Sequence, residues 1–212
     1  KTNFFKNQIQ RLITGSAQLN FGPSHIGKID ILIPLLETQK KIVEVLDKAQ
    51  GLIDIRKEQI RLMDKLIQSV FIEMFGDPLS NPNGWKTTTL DNVSKLERGR
   101  FSPRPRNDPQ YFGGKYPYIQ TGDISKSDNR LNSYTQTLNE KGGAVSKEFV
   151  AGTIVIAIVG ATIGATALLY IDVYAPDSII GISVDDTVCN NIFLEMQLRC
   201  MRQWLLDIAP EG

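Results

Sequence analysis

The sequence predicts an α+β protein: a long coiled-coil helix joined to a mixed α/β domain with several short strands. Three observations carry this reading. Apolar residues recur at seven-residue spacing through the first third of the chain, β-branched runs bounded by glycine come later, and turn-forming residues separate the two. With 212 residues and 42% hydrophobic content, the chain can hold one good-sized core plus an accessory element.

The helix is expected over residues 37–76. Leu46, Ile53, Ile60, Ile67 and Met74 form one row, and Ala49, Arg56, Met63 and Val70 form a second row three positions on. These are the a and d positions of a heptad seam, with Arg56 its one charged interruption. Gly76-Asp77-Pro78 ends the helix, since glycine caps it and proline cannot continue it. At ~1.5 Å per residue such a helix spans roughly 50 Å or more, too long to bury its stripe within a small domain. Strict sevenfold spacing favours a paired helix over the alternative, a domain-spanning core helix. In an antiparallel pair Arg56 would approach its own symmetry mate, so it needs an acidic neighbour such as Asp54 or Glu58, or must bend outward.

Residues 1–36 read as a tail. It has a helix-like start carrying Phe4, Phe5, Ile9, Leu12 and Ile13, a break at Gly15-Ser16, and an extended apolar run from Ile29 to Ile33 closed by Pro34. Residues 80–212 open with Asn81-Pro82-Asn83-Gly84-Trp85, a turn-rich linker feeding a buried tryptophan. Strands are predicted at Tyr116–Gln120, Thr153–Val159, Ala165–Tyr170 and Ile179–Val184, with a helix from about Asn190 to Asp207. The stretch 149–171 has no charge and is long enough to cross a bilayer. Its glycines and β-branched residues instead predict two buried strands around a Gly160–Gly164 turn, not a membrane span.

Several function classes lose support. Net charge is +1, so composition gives no push toward nucleic acid, and any such role must rest on local charge. Cys189 and Cys200 read as buried free thiols of a reducing, cytoplasmic protein, and His25 as a surface loop residue without partners for a metal site. No nucleophile–base pair, metal cluster or phosphate-binding loop is apparent, so an enzyme is not expected. The chain begins at Lys1 without methionine or signal peptide and reads as a fragment or processed product.

Local charge does point to an anionic partner. Arg98, Arg100, Arg104 and Arg106 fall within nine residues, interleaved with Phe101, Pro103 and Pro105, and only flanked by Glu97 and Asp108. Arginines clamp phosphates or read guanine edges bidentately, while the plainer reading is a solvated loop with scattered ion pairs. Gln120 and Thr121 have side chains suited to base edges, and Lys115, Lys126 and Lys147 could meet phosphates.

In order along the chain, these pieces resemble the specificity subunits of type I restriction-modification systems. The resemblance rests on Gly15-Ser16-Ala17-Gln18, on Ile29-Asp30-Ile31-Leu32-Ile33-Pro34 running into Glu37-Thr38-Gln39, and on Phe71-Ile72-Glu73-Met74-Phe75-Gly76-Asp77-Pro78. Gly84-Trp85-Lys86, Tyr116-Pro117-Tyr118-Ile119, Gly122-Asp123-Ile124 and Gly160-Ala161-Thr162-Ile163-Gly164 add to it, Thr162 joining the candidate DNA contacts. Leu35 stands where members usually carry a second proline. The resemblance implies that residues 1–36 close one target-recognition domain, 37–76 form the spacer helix, and 80–212 open the next domain. It also implies sequence-specific recognition of a bipartite site in double-stranded DNA, without catalysis. Modification subunits would bind the helices and methylate adenine with S-adenosylmethionine, and a restriction subunit would join through them. This chain would hold no cofactor, and it lacks the Asn/Asp-Pro-Pro-aromatic tetrapeptide of amino-methylation.

Members carry two helices and two recognition domains, whereas this chain spans about one period. A twofold homodimer is therefore expected, its helices antiparallel and each recognition domain completed by segment exchange. Its two readers would sit on the order of one to one-and-a-half DNA turns apart. The competing reading is a coiled-coil scaffold whose globular end binds an acidic protein.

Overall fold

The computed structural model of the protein describes Gln8 and residues 22–209. The expected helix-like start at Phe4, Phe5, Ile9, Leu12 and Ile13, the Gly15-Ser16 break and Pro210-Glu211-Gly212 lie outside the described residues. Two compact units divide the chain, Lys1–Arg61 and Leu62–Gly212.

In the first unit, a short helix α1 (Pro23–Ile26) leads into an extended segment and then the long helix α2 (Leu36–Phe75), which continues into the second unit. His25 sits in the turn of α1, not a loop, and its Nδ1 accepts from the Gly22 amide at 3.1 Å. The extended segment is held at Asp30, whose amide donates to Gln8 Oε1 (2.7 Å) and whose carbonyl accepts from Gln8 Nε2 (3.3 Å). Its apolar residues are open: Ile31, Leu32, Ile33 and Leu35 are 69–85% exposed.

Helix α2 runs unbroken for 40 residues, and none of them is buried. It starts at Leu36 and ends at Phe75, each one residue before the expected bound of 37–76. Glu37–Lys40, Glu44–Lys48, Asp54–Lys57 and Glu58–Arg61 pair along its surface, where solvent screens them and each adds little. The seam residues Leu46, Ile53, Ile60, Met63, Ile67, Val70 and Met74 are all exposed. The apolar face is wider than the seam, because Val45, Leu52 and Leu66 occupy g positions and Ile55 and Leu62 occupy c positions. At ~100° per residue, the c-g-d-a arc covers roughly 160°. Within the helix, Arg56 Nη1 donates to Gln59 Oε1 at 3.0 Å.

The end of α2 is fixed in detail. Gly76 has φ +94°, and its amide donates to the Ile72 carbonyl at 2.8 Å, the left-handed stop that glycine adopts without strain. The last carbonyl, on Phe75, accepts from both Asn83 Nδ2 and Trp85 Nε1 at 2.8 Å. The Trp85 ring stacks on Phe75 at 6.0 Å, and Phe193 meets Phe75 edge-on at 5.0 Å. Trp85 is not buried as expected; it is 52% exposed, covering the helix end with one ring face.

Two mixed sheets form the rest of the second unit. The larger has strand order β1 (Ser94–Arg98), β9 (Ile179–Val184), β6 (Ile154–Ala157), β7 (Thr166–Leu169), β3 (Arg130–Leu131). The smaller runs β4 (Gln136–Leu138), β2 (Phe112–Tyr118), β8 (Val173–Ala175), β5 (Lys147–Phe149). Short helices α3 (Thr121–Lys126) and α4 (Glu140–Ala144) link strands, and α5 (Asn191–Cys200) and α6 (Arg202–Ile208) follow them.

The uncharged stretch 149–171 is explained by burial on both faces. Val155 and Ala157 of β6 join a core with Ile119, Phe149 and Ile179, whereas Ile154 and Ile156 pack with Leu168, Ile182 and Leu194 of α5. The two expected strands pair antiparallel as β6 and β7 around a Gly160–Thr162 turn. Among the described residues, no helix is long and apolar enough to cross a membrane. Gly181 on β9 is where Phe149 crosses the sheet, since a Cβ there would lie 2.3 Å from the ring.

The predicted terminal helix is two helices. Met201 turns between them (φ −84°, ψ 0°), and Arg202 and Leu205 then pack over Gly164. Buried Glu195 ties α5 to the sheet by accepting from Thr166 Oγ1 at 2.8 Å and pairing with Arg199. Cys189 and Cys200 are free, but half-buried rather than buried; burial pushes both thiols up and keeps them protonated near neutral pH.

Replacing Trp85 should separate the two parts of the helix stop. W85F removes only the indole donor while Asn83 still satisfies the carbonyl, costing about 0.5–1.5 kcal/mol. W85A also removes the stacked ring and should cost roughly 1–2 kcal/mol more. Urea unfolding midpoints measure both.

Candidate nucleic-acid interface

The arginine loop begins where β1 ends. Gly99 lets it pass the β8–β9 turn, because a Cβ there would lie 2.1 Å from the Pro176 carbonyl oxygen. The Gly99 amide donates to Ile179 O and the Arg100 amide to Ala175 O, so the loop starts out pinned to the backbone. Phe101, 2% exposed, then enters an aromatic core with Tyr118 at 5.3 Å, Phe112 at 5.7 Å and Tyr111 at 6.1 Å. Pro103 is buried too, and all four arginines are left outside. The loop is an anchored hook, not a floppy surface excursion.

The arginines differ in their partners. Arg104 Nη1 donates to the carbonyls of its own loop, at 2.9 Å from Pro103 and 3.2 Å from Phe101. Arg98 Nε donates to the Asp177 carbonyl at 2.6 Å, and Arg106 Nη2 donates to Asp177 Oδ2 at 2.9 Å. Asp177 Oδ1 also lies 2.9 Å from Arg106 Nη2 but lacks hydrogen-bond geometry, so it contributes charge alone. The acidic partner that the loop lacks locally thus comes from 71 residues downstream. Arg100 is exposed, and its guanidinium meets no partner among the described residues.

Arg106 and Gln120 are brought together. They line one groove of about 450 Å³ with Asn107, Gln136, Thr137 and Phe112. Gln120 is not in a strand as expected: β2 stops at Tyr118, and Gln120 caps α3, its amide donating to Asp123 Oδ2 at 2.8 Å. Its side-chain Nε2 donates to Gln136 Oε1 at 2.7 Å. Gln136 begins β4, directly opposite Tyr118 in the antiparallel register.

The other candidates lie elsewhere. Thr121 opens α3, and Lys126, at its far end, is exposed. Lys115 is exposed on β2, 3.9 Å from Glu140 and over the Tyr116 ring. Lys147 pairs with Glu97 at 2.9 Å, and hydrogen bonds from Lys147 and Lys95 hold that carboxyl below the usual range. Thr162 is half-buried, its hydroxyl donating to Val159 O at 3.0 Å. Sequence reasoning missed Asn107, Gln136, Thr137 and Asp177. Only the alternation in Thr135-Gln136-Thr137-Leu138 offered a signal, since Leu138 is buried and Gln136 is open.

Comparison with known proteins follows this architecture. Residues 2–62 and 82–208 match the family described as type I restriction modification DNA specificity domain, and the chain belongs to that family. It is 25% identical over 141 residues to the type I restriction enzyme MjaIX specificity subunit of Methanocaldococcus jannaschii, covering 59% of this chain and 32% of that protein. The fold is shared with the HsdS subunit of Thermoanaerobacter tengcongensis (TM-score 0.50, 20% identity, 96% of this chain and 51% of that one). It is also shared with a chain from a study of complex assembly and conformational transition in the type I R-M system (TM-score 0.54, 20% identity, 98% and 52%). The protein therefore spans about half the length of these solved chains, and about a third of the curated relative.

Tyr118, beneath the loop, should report its burial through pH. Burial pushes its phenol up to about 12, opposed by Arg106 and reinforced by Asp177. A pKa raised on folding gives stability that is full below the unfolded value near 10 and lost as pH rises through about 12. Stability measured between pH 9 and pH 12 should fall less for Y118F than for the wild type.

Proposed function

We propose that this chain is the DNA-reading element of a type I restriction-modification complex and catalyses nothing itself. The observation that carries this reading is the anchored loop Arg98–Arg106: four exposed guanidiniums around a buried Phe101, beside an amide-lined groove. Such a surface suits duplex DNA, with phosphates meeting guanidiniums that no carboxylate neutralises and base edges meeting the groove side chains. Residues 1–36 and 80–212 contribute recognition-domain segments and 37–76 the spacer. Lys115 and Lys126 extend the phosphate contacts at the margins, while Thr162 and Lys147 hold local structure. Partner modification subunits supply S-adenosylmethionine and adenine methylation, and a restriction subunit joins through them, all in the cytoplasm where the DNA lies.

The helix provides the assembly surface. A helix of 40 residues with none buried needs cover, and its roughly 160° apolar arc exceeds what one two-stranded seam hides. The a and d rows suit an antiparallel helix from a second copy, and the c and g rows a helix of a modification subunit. The open apolar segment at Ile31–Leu35 is suited to exchange into the second copy's recognition domain.

Gel-shift titrations with duplex DNA across a salt series test the reading. Affinity should fall steeply with salt, and R100A should weaken binding to all sequences alike and reduce the log–log slope by about 1. Salt-independent binding, or none, would overturn the proposal. Light scattering at micromolar concentration should separately give twice the chain mass; a monomer would exclude the paired form.

A further inference from the structure

We propose that Gln136, coupled to Gln120, and Arg106, held by Asp177, form the wall of the groove that reads base edges: an adenine edge at the amide pair and a guanine edge at the guanidinium. This rests on the DNA reading above and assigns the groove's chemistry.

The amide pair is built for use rather than for stability. Both glutamines are exposed, and a hydrogen bond between two solvated amides adds little to folding. Its effect is to fix two long side chains that would otherwise lose rotamer freedom on binding. With Gln120 Nε2 committed to Gln136 Oε1, Gln136 Nε2 keeps its donors and Gln120 Oε1 its acceptor sites. One donor beside one acceptor complements the N7 acceptor and N6 donor of adenine in the major groove. Both residues are rigidly seated, Gln136 by the ladder opposite Tyr118 and Gln120 by the α3 cap.

Asp177 gives Arg106 a different task from Arg100. Paired with a carboxylate, Arg106 is a locally neutral group and loses its pull on a phosphate. Its remaining N–H groups can still donate to O6 and N7 of guanine, which is uncharged. Arg100 keeps its full charge and suits the backbone. The pair is half in solvent, with 48% and 37% of the side chains exposed, so it contributes little stability. Its consequence is discrimination: a charge set against the wrong anion is a specificity device.

Selection of the full chain on a randomised duplex library, read by sequencing, tests the assignment. The wild type should enrich a motif. Q136A should flatten adenine preference at one position by roughly 5- to 150-fold, and Q136E should move that preference toward cytosine, whose N4 donates to a carboxylate. D177N should tighten binding to an unselected duplex and steepen its salt slope by about 1. If the wild type enriches a motif that all three variants share undiminished, this assignment is overturned and the DNA reading stands. If the wild type binds without enriching any motif, or fails to bind, both are overturned.

Discussion

A helix that buries nothing of its own governs the rest of this molecule. Helix formation alone is weakly favourable in water, and most helices are held by an apolar face packed on something else. Over Leu36–Phe75 that face is exposed up to Phe71 and Phe75, which meet Phe193, and the exposed ion pairs along it are too weak to substitute. What the second unit does supply is a definite end. Phe75 is satisfied twice at its carbonyl and enclosed by Trp85 and Phe193, so the last turn cannot fray. The helix thus has a fixed stop and an open flank, the arrangement expected of an element completed by other chains.

The arginine loop follows the same economy on a smaller scale. Its backbone and its one large apolar residue are committed to the fold, while the arginine side chains stay exposed and Arg100 has no partner among the described residues. Gly99 allows the close crossing, Phe101 anchors it in the aromatic core, and Asp177, in the neighbouring β8–β9 turn, orders two of the four arginines. Folding contacts and exposed charge thus sit in adjacent residues of one loop.

Much of the architecture was legible in the sequence because it is periodic. The heptad rows and Gly76 gave the helix to within a residue, and β-branched runs between glycines gave β6 and β7. Trp85 misled because a tryptophan after a turn reads as a core anchor, whereas here one face stacks on Phe75 and the other meets solvent. The terminal helix was read through Met201, where no glycine or proline marks the bend. The width of the apolar face escaped a reading that tracked only two rows of the heptad. At the interface, Arg106 and Gln120 were legible as residue types. Their partners Asp177 and Gln136 were not, since those pairings join positions 71 and 16 residues apart through sheet registers that no local pattern encodes.

Strand β4 has a consequence for how such a protein can change over evolutionary time. Its ladder to β2 and the buried Leu138 side chain secure it, while the Gln136 side chain faces the groove and is exposed. A position so decoupled can drift among side chains without a folding penalty, and each new occupant would present a different surface to the same scaffold. Diversification then needs no redesign of the framework, only turnover at a few solvent-facing sites beside it.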